Sequence, residues 1–233
     1  MRKYVFAILC LSILSLYAQD KIQKKNSFEF STGYNSGFLK NLDFAPVSSY
    51  DYNALNYQLR YTRITKREKL FEVQLDYLNS ELETHIIPEL NPQYSKITLN
   101  FSSLKRVFDN NKLTIHLGLQ TQTNVSSYLK WQLYDFQQKL GIAGRFTFRV
   151  NEKHSLSSKL TLPFILWRTS TFDENFYSLK RYQSVLWSTE YKYKLSNHFD
   201  AKVYYNFNYD RLQISNAYRE LQQQISLGIN FKF

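Results

Sequence analysis

Ser226-Leu227-Gly228-Ile229-Asn230-Phe231-Lys232-Phe233, the last eight residues of the chain, alternate large apolar side chains with small or polar ones and stop on an aromatic ring. Successive strand residues point to opposite sides, so the same beat puts Ile225, Leu227, Ile229, Phe231 and Phe233 on one face and Gln224, Ser226, Gly228, Asn230 and Lys232 on the other. Soluble domains usually end in a polar tail, and a strand that ends on Phe needs something to cover its last ring. The rest of the chain decides what that is.

The alternation recurs throughout. Around Lys112–Gln122, Leu113, Ile115, Leu117 and Leu119 share one face, and Thr114, His116, Gly118 and Gln120 the other. The 155–167 and 199–209 segments repeat the pattern, which is that of half-buried strands. Ten strands are predicted, over 27–34, 54–65, 70–82, 94–107, 112–124, 139–150, 155–167, 182–195, 199–209 and 221–233. Tyr and Phe, 19 and 18 in number, favour the same pleated surfaces. Short polar turns at 65–69, 109–112, 151–154 and 196–199 alternate with longer segments at 35–53, 83–93, 125–138, 168–181 and 210–220. Four short turns and five long loops describe an all-β, closed antiparallel up-and-down barrel of about ten strands with both termini on the short-turn side, as in transmembrane barrels.

One strand face collects the apolar side chains. The other collects Glu29, Arg60, Glu72, Asp76, Lys96, His116, Arg145, Arg149, Lys159, Glu190, Lys192 and Lys202. A secreted lipocalin-like barrel, the competing reading, would turn its apolar face inward. In a bilayer the apolar face is outside, the polar set forms a charge network in the lumen, and closure satisfies every backbone group. Barrels near eight strands are filled by side chains, so a mixed-sign plug is expected at ten; a narrow anion-preferring passage is the alternative.

The N-terminus fits export. Arg2 and Lys3 precede an apolar run from Tyr4 to Leu16, with Ala18 before polar sequence, which reads as a signal peptide over 1–18. A periplasmic segment over 19–26 and the barrel over 27–233 follow. Cys10 is the only cysteine, and Leu9 before it does not suit lipidation, so the mature chain is expected to lack thiol and disulfide chemistry. The net charge of +11 falls to +9 without Arg2 and Lys3. For an exported chain that excess does not indicate nucleic acid. Lys21, Lys24, Lys25, Lys66, Arg67, Lys69, Arg106 and Lys153 crowd the short-turn rim, where basic side chains meet anionic lipid headgroups.

With polar Ser226, then Gly228, Phe231 and a terminal Phe233, the last strand resembles the C-terminal assembly signal of Gram-negative outer-membrane β-barrel proteins. The resemblance covers essentially the whole mature chain. It implies an outer-membrane location, outer-membrane lipids as surroundings, and the barrel-assembly machinery as a partner during biogenesis. It places Phe233 in the periplasmic aromatic girdle, and Tyr77, Tyr94, Trp131, Trp187, Tyr209 and Tyr218 are candidates for the external one.

Catalytic chemistry has few candidates. His154 and His198 fall in short turns. His154 and Ser155 are adjacent and point to opposite faces, so they do not pair. His116 is lumenal and has Glu72, Asp76 or Glu190 as conceivable orienters; a histidine satisfied within a charge network is the favoured reading. His85 lies among Glu81, Glu83 and Glu89 in the second long loop. Omptin proteases use an Asp pair and a His-Asp pair at external strand ends. No matching Asp pair is evident, and the chain looks too short for that family's tall walls. No phosphate loop, zinc pattern or calcium loop is present, and no cofactor is expected. The favoured function is non-enzymatic: external loops that bind, or a subunit of an envelope complex with a protein partner. A porin-like narrow pore and a surface hydrolase are the alternatives.

Overall fold

The computed structural model describes residues 25–43, 49–86, 91–128, 132–170, 174–214 and 217–233. The signal peptide expected over 1–18 lies outside them, as do Lys21, Lys24, Glu89 and Trp131. Eleven strands form one sheet: β1 Asn26–Asn41, β2 Tyr50–Ile64, β3 Lys69–Glu83, β4 Gln93–Asp109, β5 Leu113–Tyr128, β6 Leu133–Arg149, β7 His154–Ser170, β8 Glu174–Ser178, β9 Tyr182–Lys194, β10 Phe199–Leu212 and β11 Tyr218–Lys232. Every pairing is antiparallel, between chain neighbours except where β7 also pairs with β9, and β1 with β11 closes the cylinder from Ser27↔Lys232 to Asn41↔Tyr218. The short β8 and the longer β9 both run down beside β7, so they form one broken stave. The result is a closed barrel of ten staves.

All ten predicted strands exist, and the facing of the last one is as read. Ile225, Leu227 and Ile229 are 61, 64 and 60% exposed, while Gln224, Ser226 and Asn230 are buried. Phe231 packs between Phe199 and Phe233, with ring centroids 5.2 and 5.8 Å away. Gly228 occupies a position with no room for a side chain, since a Cβ there would lie 2.8 Å from the Cβ of Ser31 and 3.3 Å from the ring of Tyr204. Glycine lets that inward ring lie against the wall.

The walls are taller than expected. Most staves run 13–17 residues, whereas about 9–11 tilted residues cross a bilayer. The loop-side ends of β1, β2, β5, β6, β10 and β11 occupy much of what reads in the sequence as long loops. The reason is a change of solvent along the strand. On β2, Leu55, Tyr57 and Leu59 point out and Asn56, Gln58 and Arg60 point in. From Ala54 upward the order inverts, with Tyr50, Tyr52 and Ala54 buried inside and Asp51 and Asn53 exposed outside. β3 does the same, with Leu75 and Tyr77 outside below and Leu78 and Leu82 inside above. An alternation whose polarity flips looks, in sequence, like the end of a strand.

Two residues assigned to the external girdle belong instead to this interior. Tyr94 is 0% and Tyr218 3% exposed, both facing the barrel axis above the inversion, where only protein covers an aromatic ring. Tyr77 and Trp187 do face outward, at 40 and 41% exposure, and Tyr209 is half-buried.

Candidate functional site

The lumen contains two packed layers with a polar hollow between them. The lower layer is ionic. Glu29 on β1, Arg60 on β2, Glu72 on β3, Arg145 on β6, Lys159 on β7, Glu190 on β9 and Lys202 on β10 all project inward because each falls on the lumenal parity of its strand. Arg145 bridges Glu72 at 3.0 Å and Glu190 at 3.3 Å, and Lys159 approaches Glu72 at 2.7 Å. Lys202 joins Glu29 at 2.7 Å and Glu190 at 3.1 Å. Arg60 reaches Glu190 at 3.2 Å and lies 4.6 Å above the ring of Tyr204. Near the periplasmic mouth, Lys232 pairs with Asp200 at 2.8 Å. Seven charges from seven strands thus tie opposite walls together.

The upper layer is aromatic, pinned by three ionic anchors. Tyr50, Tyr52, Tyr94, Tyr128, Tyr182 and Tyr218 pack with Leu39, Leu78, Leu82, Leu166 and Leu212. Tyr52 fits over β1 because residue 37 is glycine; a Cβ there would lie 2.2 Å from its ring. The Glu220 carboxylate accepts hydrogen bonds from the hydroxyls of Tyr218 (2.7 Å), Tyr52 (2.9 Å) and Tyr94 (3.3 Å) and from Lys96 Nζ (2.6 Å). Asp210 accepts from Lys139 at 2.6 Å and Tyr182 at 2.8 Å. Arg168 donates to both Asp135 oxygens at 3.0 Å and pairs with Asp43 at 2.8 Å. Buried ion pairs rarely add net stability, but removing one partner strands the other, and that asymmetry fixes the arrangement.

Between the layers lies a polar hollow with a cavity volume of about 80 Å³, room for several water molecules. Its two main walls are amide ladders. Gln74, Asn100 and Gln122 are register partners across β3, β4 and β5, and their amides donate mainly among themselves and to Asp76, which accepts from Gln58 at 2.6 Å and Gln74 at 2.8 Å. Across the lumen, Asn35, Gln224 and Asn206 are register partners on β1, β11 and β10. Here the side-chain oxygen and nitrogen of Asn35, the oxygen of Asn56 and the hydroxyl of Tyr204 are buried without hydrogen-bond partners.

Most of the predicted lumenal network is therefore brought together, with changes. Lys96 belongs to the upper layer and Asp76 to the amide wall. Arg149 stands at the periplasmic rim, its side chain 51% exposed and 3.7 Å from Asp109. Lys192 is half-buried below the ionic layer. His116 does not meet Glu72, Asp76 or Glu190; it lies in register between Arg106 and Arg145, and its Nδ1 has no partner. His85 is exposed at the upper rim. Among the described residues no group of three His, Cys, Asp or Glu could hold a metal ion. Of the inward-facing cations, Arg60, Lys96, Lys139, Arg145, Lys159, Arg168, Lys202 and Lys232 each have a carboxylate within 4.0 Å. Sequence reasoning missed Glu220, Asp210, Asp135, Lys139 and Arg168, all in segments read as loops or loop margins.

At the periplasmic rim, outside the bilayer span, Asp109 ends β4. The hydroxyl of Thr114 donates to its carboxylate at 2.6 Å, and Arg106 and Arg149 add positive charge; together they hold its carboxyl below the usual range.

A closed antiparallel cylinder, apolar outside and ionic inside, defines an integral β-barrel of the outer-membrane class. Solved structures agree on the fold. The chain is similar to the outer membrane protease OmpT from Escherichia coli, with a TM-score of 0.59 at 11% identity over 92% of this chain and 99% of that one. It is also similar to an outer membrane channel from Pseudomonas putida F1, with a TM-score of 0.50 at 9% identity over 93% of this chain and 98% of that one. No protein-family model matches the chain, and no curated protein sequence matches it.

Proposed function

We propose that this barrel does not conduct along its axis and acts by binding, through its external rim and loops, in the outer membrane. The observation that supports this is the double closure of the lumen: a tyrosine layer anchored on Glu220, Asp210 and Arg168 above, and a seven-member ion-pair layer below. A solute crossing the barrel would have to break buried ion pairs at one level and displace packed aromatic rings at another. The protease reading gains nothing from the upper-layer carboxylates, because Glu220, Asp210 and Asp135 are bound to Lys96, Lys139 and Arg168 rather than to histidine. The test is single-channel recording of the folded barrel in a planar bilayer. Silence is expected for the native chain; steady current that responds to charge changes at Arg145 or Lys159 would overturn the reading in favour of a pore.

A further inference from the structure

Between β2 and β3 the ladder skips Asn53–Leu55 and resumes in the same register, from Tyr52↔Leu82 to Asn56↔Leu78; at the β7 seam, among the described residues, a three-residue gap coincides with a change of register and of neighbouring strand. On β7 the ladder with β9 ends at Thr161↔Leu186, and the ladder with β8 begins at Ile165↔Ser178. Leu162, Pro163 and Phe164 have no register partner on that side, while residues 179–185 of the neighbouring stave run outside the ladder. Pro163 brings no N–H to such a ladder, and β7 is also irregular toward β6 at this point, where register shifts between Leu140 and Gly141. Three unpaired residues span roughly 10 Å of strand. Pro163 is buried and Phe164 half-buried there, so the seam is closed by side chains and not by ladder pairing.

The break lies within the apolar belt. Leu160, Leu162 and Ile165 on β7, Trp187 on β9 and Leu179 in the detour are exposed around it, and Trp167 stands just above on the loop side. Inside, it adjoins the hollow, whose lining includes Thr161, Leu186 and Ser188. Ser188 is in register with Asn206, which continues the row to Gln224 and Asn35. A line of polar side chains therefore runs from the inner side of the break to the buried amide of Asn35 that no protein group satisfies.

We propose that this break, closed by side chains alone, is a lateral portal joining the outer leaflet to the lumenal hollow, and that it admits a single-chain amphiphile. Its head enters the hollow while its chain stays in lipid. The surroundings choose the class. Only molecules dissolved in the bilayer meet the portal from outside. Within the hollow the cations are already paired with carboxylates, so the groups left to recognise a head are amide and phenol, which favour one that is neutral overall and rich in hydrogen-bonding atoms. Axial closure and lateral entry are separate properties, so conductance does not bear on the portal.

The mature chain has no cysteine if cleaved as read, which makes a paired-cysteine test clean. The full barrel carrying Phe164→Cys and Val185→Cys is folded into bilayers containing lysophosphatidylcholine with a nitroxide on its acyl chain near the head. Folding is checked by heat-modifiable migration. Electron paramagnetic resonance is then recorded before and after the cysteines are bridged with a bismaleimide. The expected result is a motionally restricted population before bridging that falls severalfold after it. Loss of two hydrogen-bonding sites in Asn35→Ala/Asn56→Ala should weaken the apparent affinity about tenfold, with the barrel still folded. A restricted population unchanged by bridging would be ordinary boundary lipid and would overturn the portal, as would a spectrum with no such population. An unaltered affinity in the double alanine variant would overturn the hollow as the place where the head sits.

Discussion

The lower and upper halves of the wall are built from the same strands by opposite rules. Along β2, the segment from Leu55 down presents Leu and Tyr outward and Asn, Gln and Arg inward, while the segment from Ala54 up presents Asp51 and Asn53 outward and Tyr inward. Toward β1 the backbone does not mark the change, since β2 pairs with it in unbroken register from Asn26↔Arg63 to Leu39↔Tyr50; toward β3 the ladder skips Asn53, Ala54 and Leu55, at the inversion itself. The difference is the solvent. Where lipid surrounds the cylinder, apolar side chains face out and charges must find partners inside. Where water surrounds it, the ordinary hydrophobic core returns. Each half closes the lumen with the material its surroundings leave for the interior: ion pairs below, tyrosines above.

The largest expected effect concerns the charge buried in the upper half. Glu220→Gln leaves Lys96 without its carboxylate in an interior with little water, and breaking a buried pair in this way costs about 3–5 kcal/mol. Urea-dependent folding into vesicles would measure it, and a loss well under 1 kcal/mol would mean that the upper interior is wet and the two halves less distinct than described.

Next comes the facing of the lower half. Leu117→Arg puts a charge on the lipid face of β5, at a cost of roughly 2–4 kcal/mol near the midplane. Gln120→Arg, on the lumenal face of the same strand, should cost less. Equal losses in the same folding assay would remove the assignment of faces.

The smallest effect sits at the periplasmic rim, below both layers. Since the folded Asp109 carboxyl titrates below its unfolded value, its contribution to stability is present above the unfolded value and disappears as pH falls through the folded one. Nuclear magnetic resonance titration should place its midpoint below the usual carboxylate range, and Thr114→Val should raise it by removing the strongest of its partners. A midpoint indifferent to Thr114→Val would show that the nearby arginines act alone.

The fold was legible because the lower wall obeys one simple rule. Strict alternation in 112–124, 199–209 and 221–233 needs only a period of two, and the arithmetic of short turns and long loops supplied the closed meander. The ionic residues of the lower layer were legible one by one for the same reason. Their pairing was not: Arg145 meets Glu72 and Glu190 across the lumen, and no local spacing encodes a contact over 73 or 45 residues of chain. The upper wall escaped detection because Ser36-Gly37-Phe38-Leu39-Lys40-Asn41 carries turn-forming residues and an inverted phase, although it is strand throughout. Tyr94 and Tyr218 were misplaced by the same assumption that every aromatic near a loop end looks toward lipid. The break between β8 and β9 left one mark in the sequence, Pro163 within a strand.

The inversion is best tested by spin labels placed singly along the outer face of β2, at positions 51, 53, 55, 57 and 59, in the barrel folded into bilayers. Relaxation by oxygen, which concentrates in lipid, is compared at each site with relaxation by a water-soluble nickel chelate. Positions 55, 57 and 59 should favour oxygen and positions 51 and 53 the chelate, with the crossover between Asn53 and Leu55. Oxygen dominance continuing to position 51 would contradict the account, because it would place the upper wall in lipid and leave its aromatic interior without a physical reason.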